Sequence, residues 1–292
     1  MSPAAEPYNR ESLMPAPQAS AMQQLARLKF MSFNLKVPTN WQNPSGDPGA
    51  KHYGDAFQPS EKTTAPGMPP LFQPASLNKY HTDTQKMHID KIGKFIDGVC
   101  SAICSAWSTW QSATTMVGVV INGPVAMGGQ LVGPPLMPLI LASAPKASPM
   151  ELKYSNVIAN VISTSWLTFT ATVKVTGMPW YPAFAAFPSP VAPPTPNIPC
   201  PFAALMQVPV SISTMTMKGM MIAQLADPMA PFHKELFECI CDAFEKCYNI
   251  WKVSTMVTNV LGTGPIPTFA PPYVPVGPVL GGVGTMTPGG LV

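Results

Sequence analysis

The stretch 110–124, "WQSATTMVGVVINGP", returns at 251–265 as "WKVSTMVTNVLGTGP". The two align without a gap. Trp110 matches Trp251, Thr114 matches Thr255, and Gly123-Pro124 matches Gly264-Pro265. Upstream, Cys100 matches Cys241 and Ala102 matches Ala243. After each Trp, Thr and Val alternate with period two, which is the pattern of a strand with two different faces. Gly beside Pro then ends the strand in a turn. The repeated unit therefore reads as helix, Trp hinge, strand and Pro turn.

A third copy, "WLTFTATVKVTGMP", lies at 166–179. Counted from its Trp it has Thr at the fifth position and Val at the eighth and tenth. This places Trp110, Trp166 and Trp251 at equivalent hinges. Each is preceded by a helical pattern. In 83–110, Ile89, Ile92, Ile96, Val99, Ile103, Trp107 and Trp110 recur by threes and fours. The charges stop at Asp97, so the last three turns are expected to be buried all round. In 231–251, Phe237, Ile240, Phe244, Cys247 or Tyr248, and Trp251 repeat the spacing, with Pro231 suited to a helix start and Glu235 to the first turns. In 148–166 the stripe is Leu152, Ala159, Ile162 and Trp166, widened by Val157, Ile158 and Val161.

Pro-rich apolar text follows each unit: "VAMGGQLVGPPLMPLIL", "WYPAFAAFPSPVAPPTPNIPCPF" and "IPTFAPPYVPVGPVLGG". Proline excludes helix interiors, and apolar composition argues against full exposure, so these are expected as extended arms lying on a partner. The expected organisation is an N-terminal extended arm over 1–70, containing one short amphipathic stretch, then helix–strand units over 71–145, 146–203 and 204–292. The last unit ends in a Pro/Gly-rich arm. The expected fold class is α+β, with the three pseudo-repeated units in a pseudo-threefold arrangement.

Composition supports covered surfaces. The 292 residues include 37 Pro and 21 Gly, only 11% are charged, and 46% are hydrophobic. A disordered chain would be less apolar and more charged, and a free-standing soluble domain carries about a quarter charged residues. The net charge of +3 is spread without a basic run, so nucleic acid is not an expected partner.

Candidate chemistry is sparse. The six cysteines include "CSAIC" and "CICDAFEKC", with no CxxC pair and no His at ligand spacing. They read as reduced, core-packed thiols rather than a zinc site. His52, His81, His88 and His233 form no ligand set. The acids Asp90, Asp97, Glu235, Glu238, Asp242 and Glu245 decorate helices. "MGGQLVGPP" and "GGVGTMTPGG" lack the spacing of nucleotide loops. No catalytic residue, cofactor or metal is expected. The uncharged run 98–123 is interrupted by Ser, Thr, Gln and Asn, and its second half breaks the helical period, so a buried or interface segment is favoured over a membrane span. "STMTMKGMMIAQL" suits adaptable packing.

The triplication and low charge resemble the organisation of central-spike and tip components of contractile machines: phage tails and baseplates, type VI secretion and related injection systems. Tip proteins of the PAAR type are monomers of pseudo-threefold form that cap a trimeric spike. The resemblance covers residues of about 70–280. It is one of organisation, without the PAAR motif or the His/Cys metal set of those tips, and with much longer arms. No functional residue carries over. It implies a non-enzymatic structural protein of a virion or injection particle, assembled in the cytoplasm. Its partners would be other structural subunits, among them a trimeric spike. The residues expected at the repeat hinges and interfaces are Trp110, Trp166, Trp251, Gly123, Pro124, Gly264 and Pro265. Two other readings stay open: a membrane-inserting or pore-forming protein, and a cargo effector of such a machine.

Overall fold

A computed structural model describes residues 16–35, 82–180, 184–185, 190–205, 212–267, 269–270 and 274–292. Most of the expected N-terminal arm lies outside the described residues. Its amphipathic stretch does not: Ala19–Ser32 forms helix α1, with Met22, Ala26 and Phe30 buried at helical spacing. The segment is therefore part of the core rather than only an arm, because burying three large or close-packed side chains offsets the ordering of a short helix.

Three long helices carry the expected stripes: α2 (Thr82–Ala113), α4 (Pro149–Thr172) and α6 (His233–Ser254). Two short ones, α3 (Leu136–Ser143) and α5 (Thr214–Leu225), alternate with them. Each helix packs on the next in the chain, and α1 packs on both α2 and α6, so the six close into a ring. Local signals set the ends. Ser148 accepts from the Glu151 amide while the Glu151 carboxylate accepts from the Ser148 amide, a capping box with Pro149 at the first helical position. Ser213 caps α5 by accepting from the Thr216 amide.

The structure departs from the sequence pattern in three places. The arm 125–141 is not extended throughout. Residues Leu136–Ser143 are helical, and Pro138 is tolerated because it sits in the first turn, where its missing N–H has no partner to lose. The last turns of α2 are not buried all round: Ser105, Ser108, Thr109 and Ser112 form an exposed polar strip. Leu152, assigned to the buried stripe of α4, is exposed.

A six-stranded antiparallel sheet has the order β3-β2-β1-β11-β8-β5. Its strands are β1 (Thr115–Asn122), β2 (Val125–Val132), β3 (Val175–Pro179), β5 (Val191–Thr195), β8 (Val260–Pro265) and β11 (Leu280–Met286). Short strands β4 (Phe184–Ala185), β9 (Phe269–Ala270) and β10 (Val274–Gly277) make a three-stranded sheet, and β6 (Cys200–Pro201) pairs with β7 (Met256–Val257). Each long helix thus leads into two strands of the large sheet: β1 and β2 after α2, β3 and β5 after α4, β8 and β11 after α6.

The two strands following α4 lie at opposite edges of the sheet, whereas β1–β2 and β8–β11 are neighbours. Proline explains the difference. Pro193, Pro194, Pro196, Pro199 and Pro201 strip donors from the chain that would ladder onto β3. The amide of Ile198 donates to the Pro179 carbonyl at 3.3 Å and brings the two edges together. Inside the curl, Ile121 and the Trp180 ring meet above Gly262. Met116, Val119, Ala126, Met178, Val260 and Met286 are buried side chains of the same sheet.

The same irregularity recurs in the ladders. Pairing shifts register between Ala126 and Gly128 in β2, between Ala192 and Thr195 in β5, and opposite Ile121–Asn122 in β11. Gly128 and Gly281 have φ of 79° and 66°, a left-handed conformation that glycine adopts without a Cβ penalty.

Candidate functional site

The long helices deliver their C-terminal aromatic residues to one hub where the ring meets the sheet. Ring centroids of Trp110, Trp166 and Trp251 form a closed triangle of 4.8, 5.6 and 6.2 Å. Trp107 joins Trp166 at 4.7 Å and Trp251 at 5.4 Å, and Phe202 joins Trp251 at 4.9 Å. All of these pairs are edge-on or tilted, the arrangement that ring quadrupoles favour over a face-to-face sandwich.

The three tryptophans meet, but they do not hold equivalent places. Trp110 and Trp251 stand in the last turn of α2 and α6, whereas α4 continues to Thr172. Phe169 occupies the corresponding position in α4, and Trp166 lies one turn earlier, level with Trp107 and Tyr248. The β-branched run after Trp166 suggested strand. It stays helical because Phe169 and Thr170 are buried there, and intrinsic preference is the weaker term. Only at Val175 does β3 begin. Gly123 and Pro124 form the turn between β1 and β2, and the Gly123 amide donates to Val279 at 2.7 Å. Gly264 and Pro265 instead lie at the end of β8 and are paired with β5.

Two buried polar residues, not singled out by sequence reasoning, stitch these elements. Gln111 accepts from the Trp251 indole N–H at 2.8 Å and donates to the Leu291 carbonyl at 3.2 Å, tying α2, α6 and the C-terminal segment. Asn197 donates to Val257 at 3.1 Å and to Ile198 at 2.8 Å, and accepts from Val260 at 2.9 Å, so it replaces part of the ladder that the prolines remove. An amide offers both donors and an acceptor, which suits these roles. A single Gln or Asn carries no periodicity, and only its burial gives it away.

All six cysteines are free and buried. Burial pushes the Cys104 thiol up to about 12 and the Cys247 thiol up to about 11, away from the thiolate form that reacts. The native chain at pH 8 is expected to resist labelling by an aromatic disulfide reagent, whereas all six thiols react after unfolding in guanidinium. Fast labelling of the native chain would contradict this packing. His233 is buried, with Nδ1 2.6 Å from the Ala230 carbonyl, at the start of α6. Residues 52 and 81 lie outside the described residues.

Ion pairs hold the helix ring. Arg27 on α1 makes a bidentate contact to Asp97 on α2. Glu238 on α6 accepts from Lys29 of α1 at 2.9 Å and from Lys218 of α5 at 2.6 Å. The hydrogen bonds from Lys218 and then Lys29 hold its carboxyl below the ordinary value of 4.5. A pKa lowered on folding contributes stability above the unfolded value and loses it as pH falls through the folded one. The wild-type melting temperature should therefore begin to drop below about pH 4.5. Glu238→Gln should cost ~0.5–1 kcal/mol at pH 7 and flatten that slope, as followed by thermal unfolding from pH 7 to pH 2.5.

The strand half is electrically different. Residues 114–145, 175–217 and 253–292 contain no Asp, Glu, Lys or Arg. Every strand of the large sheet lies in these three stretches. Two apolar grooves occur elsewhere, on the helix ring. One, of about 210 Å³, lies between Pro17–Ala21 and Ile250–Ser254; the other, of about 230 Å³, lies between Ile92, Phe95, Tyr154 and Leu236. Neither gathers His, Cys, Asp or Glu into a metal-binding group among the described residues. No described helix is long and apolar enough to cross a membrane. No protein family, curated protein or solved structure matches the chain.

Proposed function

We propose that this chain is a structural assembly protein of a phage tail, baseplate or related contractile injection machine. It acts as a covalent stand-in for three subunits and binds neighbours through apolar surfaces, without catalysis. Counted with the short helix before each long one, the three units run 19–132, 136–195 and 214–286. Each is short helix, long helix, strand, strand. The observation that carries the reading is the order in which these parts meet. Short and long helices alternate around the closed ring, and first and second strands alternate across the sheet. The three ladders between units each shift register close to the same bulge. One chain with this internal rotation offers three similar faces about one axis, which matches the symmetry of a trimeric neighbour while leaving each copy free to diverge. Charge-poor, apolar strands suit an obligate contact.

The test is sedimentation of a lysate of the producing host through a glycerol gradient, followed by blotting for the chain. The chain should travel with tail-sized particles and detach from them only under denaturing conditions. Recovery of the full-length chain solely as a free monomer, or growth arrest when it is expressed alone, would overturn the proposal, the latter in favour of an effector.

A further inference from the structure

Three exposed side chains lie side by side across three adjacent strands. Val120 of β1 pairs with Met127 of β2 on one side and with Val283 of β11 on the other. Their exposures are 44%, 45% and 63%. Val117, Val132, Val191, Leu261 and Leu280 are also exposed and extend the apolar surface along β1, β2, β5, β8 and β11. Their inward neighbours Met116, Val119, Ile121, Ala126 and Leu131 are buried, so apolar residues occupy both faces of the sheet's strands, and the exposed polar residues among them, Asn122, Gln130, Thr176 and Thr285, are uncharged. Ordinary half-buried antiparallel sheets show polar residues outward. An apolar face on several adjacent strands marks an interaction site.

The shape of this surface restricts its occupant. The sheet curls until its edges meet at Ile198 and Pro179, so the apolar residues are distributed around the curl rather than on one flat side. A second copy related by a twofold axis would cover one side only. Charge restricts it further. The strands offer no counter-charge, and any ion on the facing wall would be desolvated without a partner.

We infer that the outward sheet face is a plug: it seats in the bore of a partner assembly that encircles it with an uncharged, apolar wall. The wall's threefold symmetry rests on the internal rotation proposed above. The helix ring, which carries the ion pairs, stays outside the bore.

The experiment compares particles from the producing host carrying wild-type chain, the sheet-face pair Met127→Lys/Val283→Lys, or the helix-face pair Leu28→Lys/Leu167→Lys. Urea unfolding of each purified chain verifies that it folds. The sheet-face pair should lower particle-bound chain at least tenfold, with the helix-face pair within twofold of wild type. A reconstruction of wild-type particles should show threefold density surrounding the strands. Equal incorporation of both pairs, or strands facing solvent in the particle, overturns the plug and leaves the assembly role standing. Absence of wild-type chain from any particle overturns both. Flotation of the purified chain with phosphatidylcholine/phosphatidylglycerol vesicles, abolished by the sheet-face pair, assigns the face to a membrane and also overturns the plug.

Discussion

Replacing Trp166 by alanine is expected to cost ~3–5 kcal/mol, the range for truncating a fully buried large aromatic side chain. Trp166 touches Trp107, Trp110 and Trp251 as well as Phe169, Phe244 and Tyr248, so one truncation opens a void shared by all three long helices. Its sequence neighbour Leu167 is 69% exposed, and Leu167→Ala should change stability by no more than ~0.5 kcal/mol. Trp166→Phe should fall between them. Urea midpoints at constant slope would measure all three. A Trp166→Ala chain as stable as Leu167→Ala would mean that the hub is not the centre of the core.

Gly264→Ala is the second large effect, for a different reason. A Cβ on Gly264 would run into the Gly282 backbone of the adjacent strand and lie 2.7 Å from Val279 Cγ1. The Gly282 backbone cannot rotate away as a side chain can, and overpacking of this kind costs ~1–3 kcal/mol, with this site at the upper end. Gly177→Ala is the matched control, since a Cβ there meets nothing within 4 Å. The control should be neutral within ~0.5 kcal/mol in the same urea series. Equal midpoints for the two variants would show that β8 and β11 do not approach as described. The Gly264-Pro265 repeat therefore has a packing explanation in β8, whereas the matching Gly123-Pro124 makes a turn.

Much of the scaffold was legible. The apolar spacing before Trp110 and Trp251 identified α2 and α6, and the alternation after them identified β1 and β8, because helical and extended chains present side chains with different periods. The segment 148–179 was legible only in part. The apolar stripe placed the helix over 148–166, while the capping box of Ser148 and Glu151 that fixes its start is seen in the structure, and its end is hidden by the β-branched residues that follow Trp166. The candidate surface was less accessible still. Val120, Met127 and Val283 belong to alternating patterns, yet alternation alone does not say which face meets water or which strands become neighbours. Gln111 and Asn197 left no pattern at all, and their roles appear only when their partners, far away in the chain, are brought within hydrogen-bonding distance.

By itself, then, the sequence determined the local alphabet of this protein: three long amphipathic helices, the strands that follow two of them, the turn at Gly123-Pro124 and strand stretches without charge. These are legible because periodicity, capping and proline chemistry act over a few residues. Tertiary structure alone decided that α4 runs to Thr172 and that Trp166 stands one turn away from the place of Trp110 and Trp251. The reason is one of magnitude. Local preferences differ by less than about 1 kcal/mol per residue, whereas burying a single Phe or Trp in the common core is worth ~1.5–3 kcal/mol, so packing prevails wherever the two disagree.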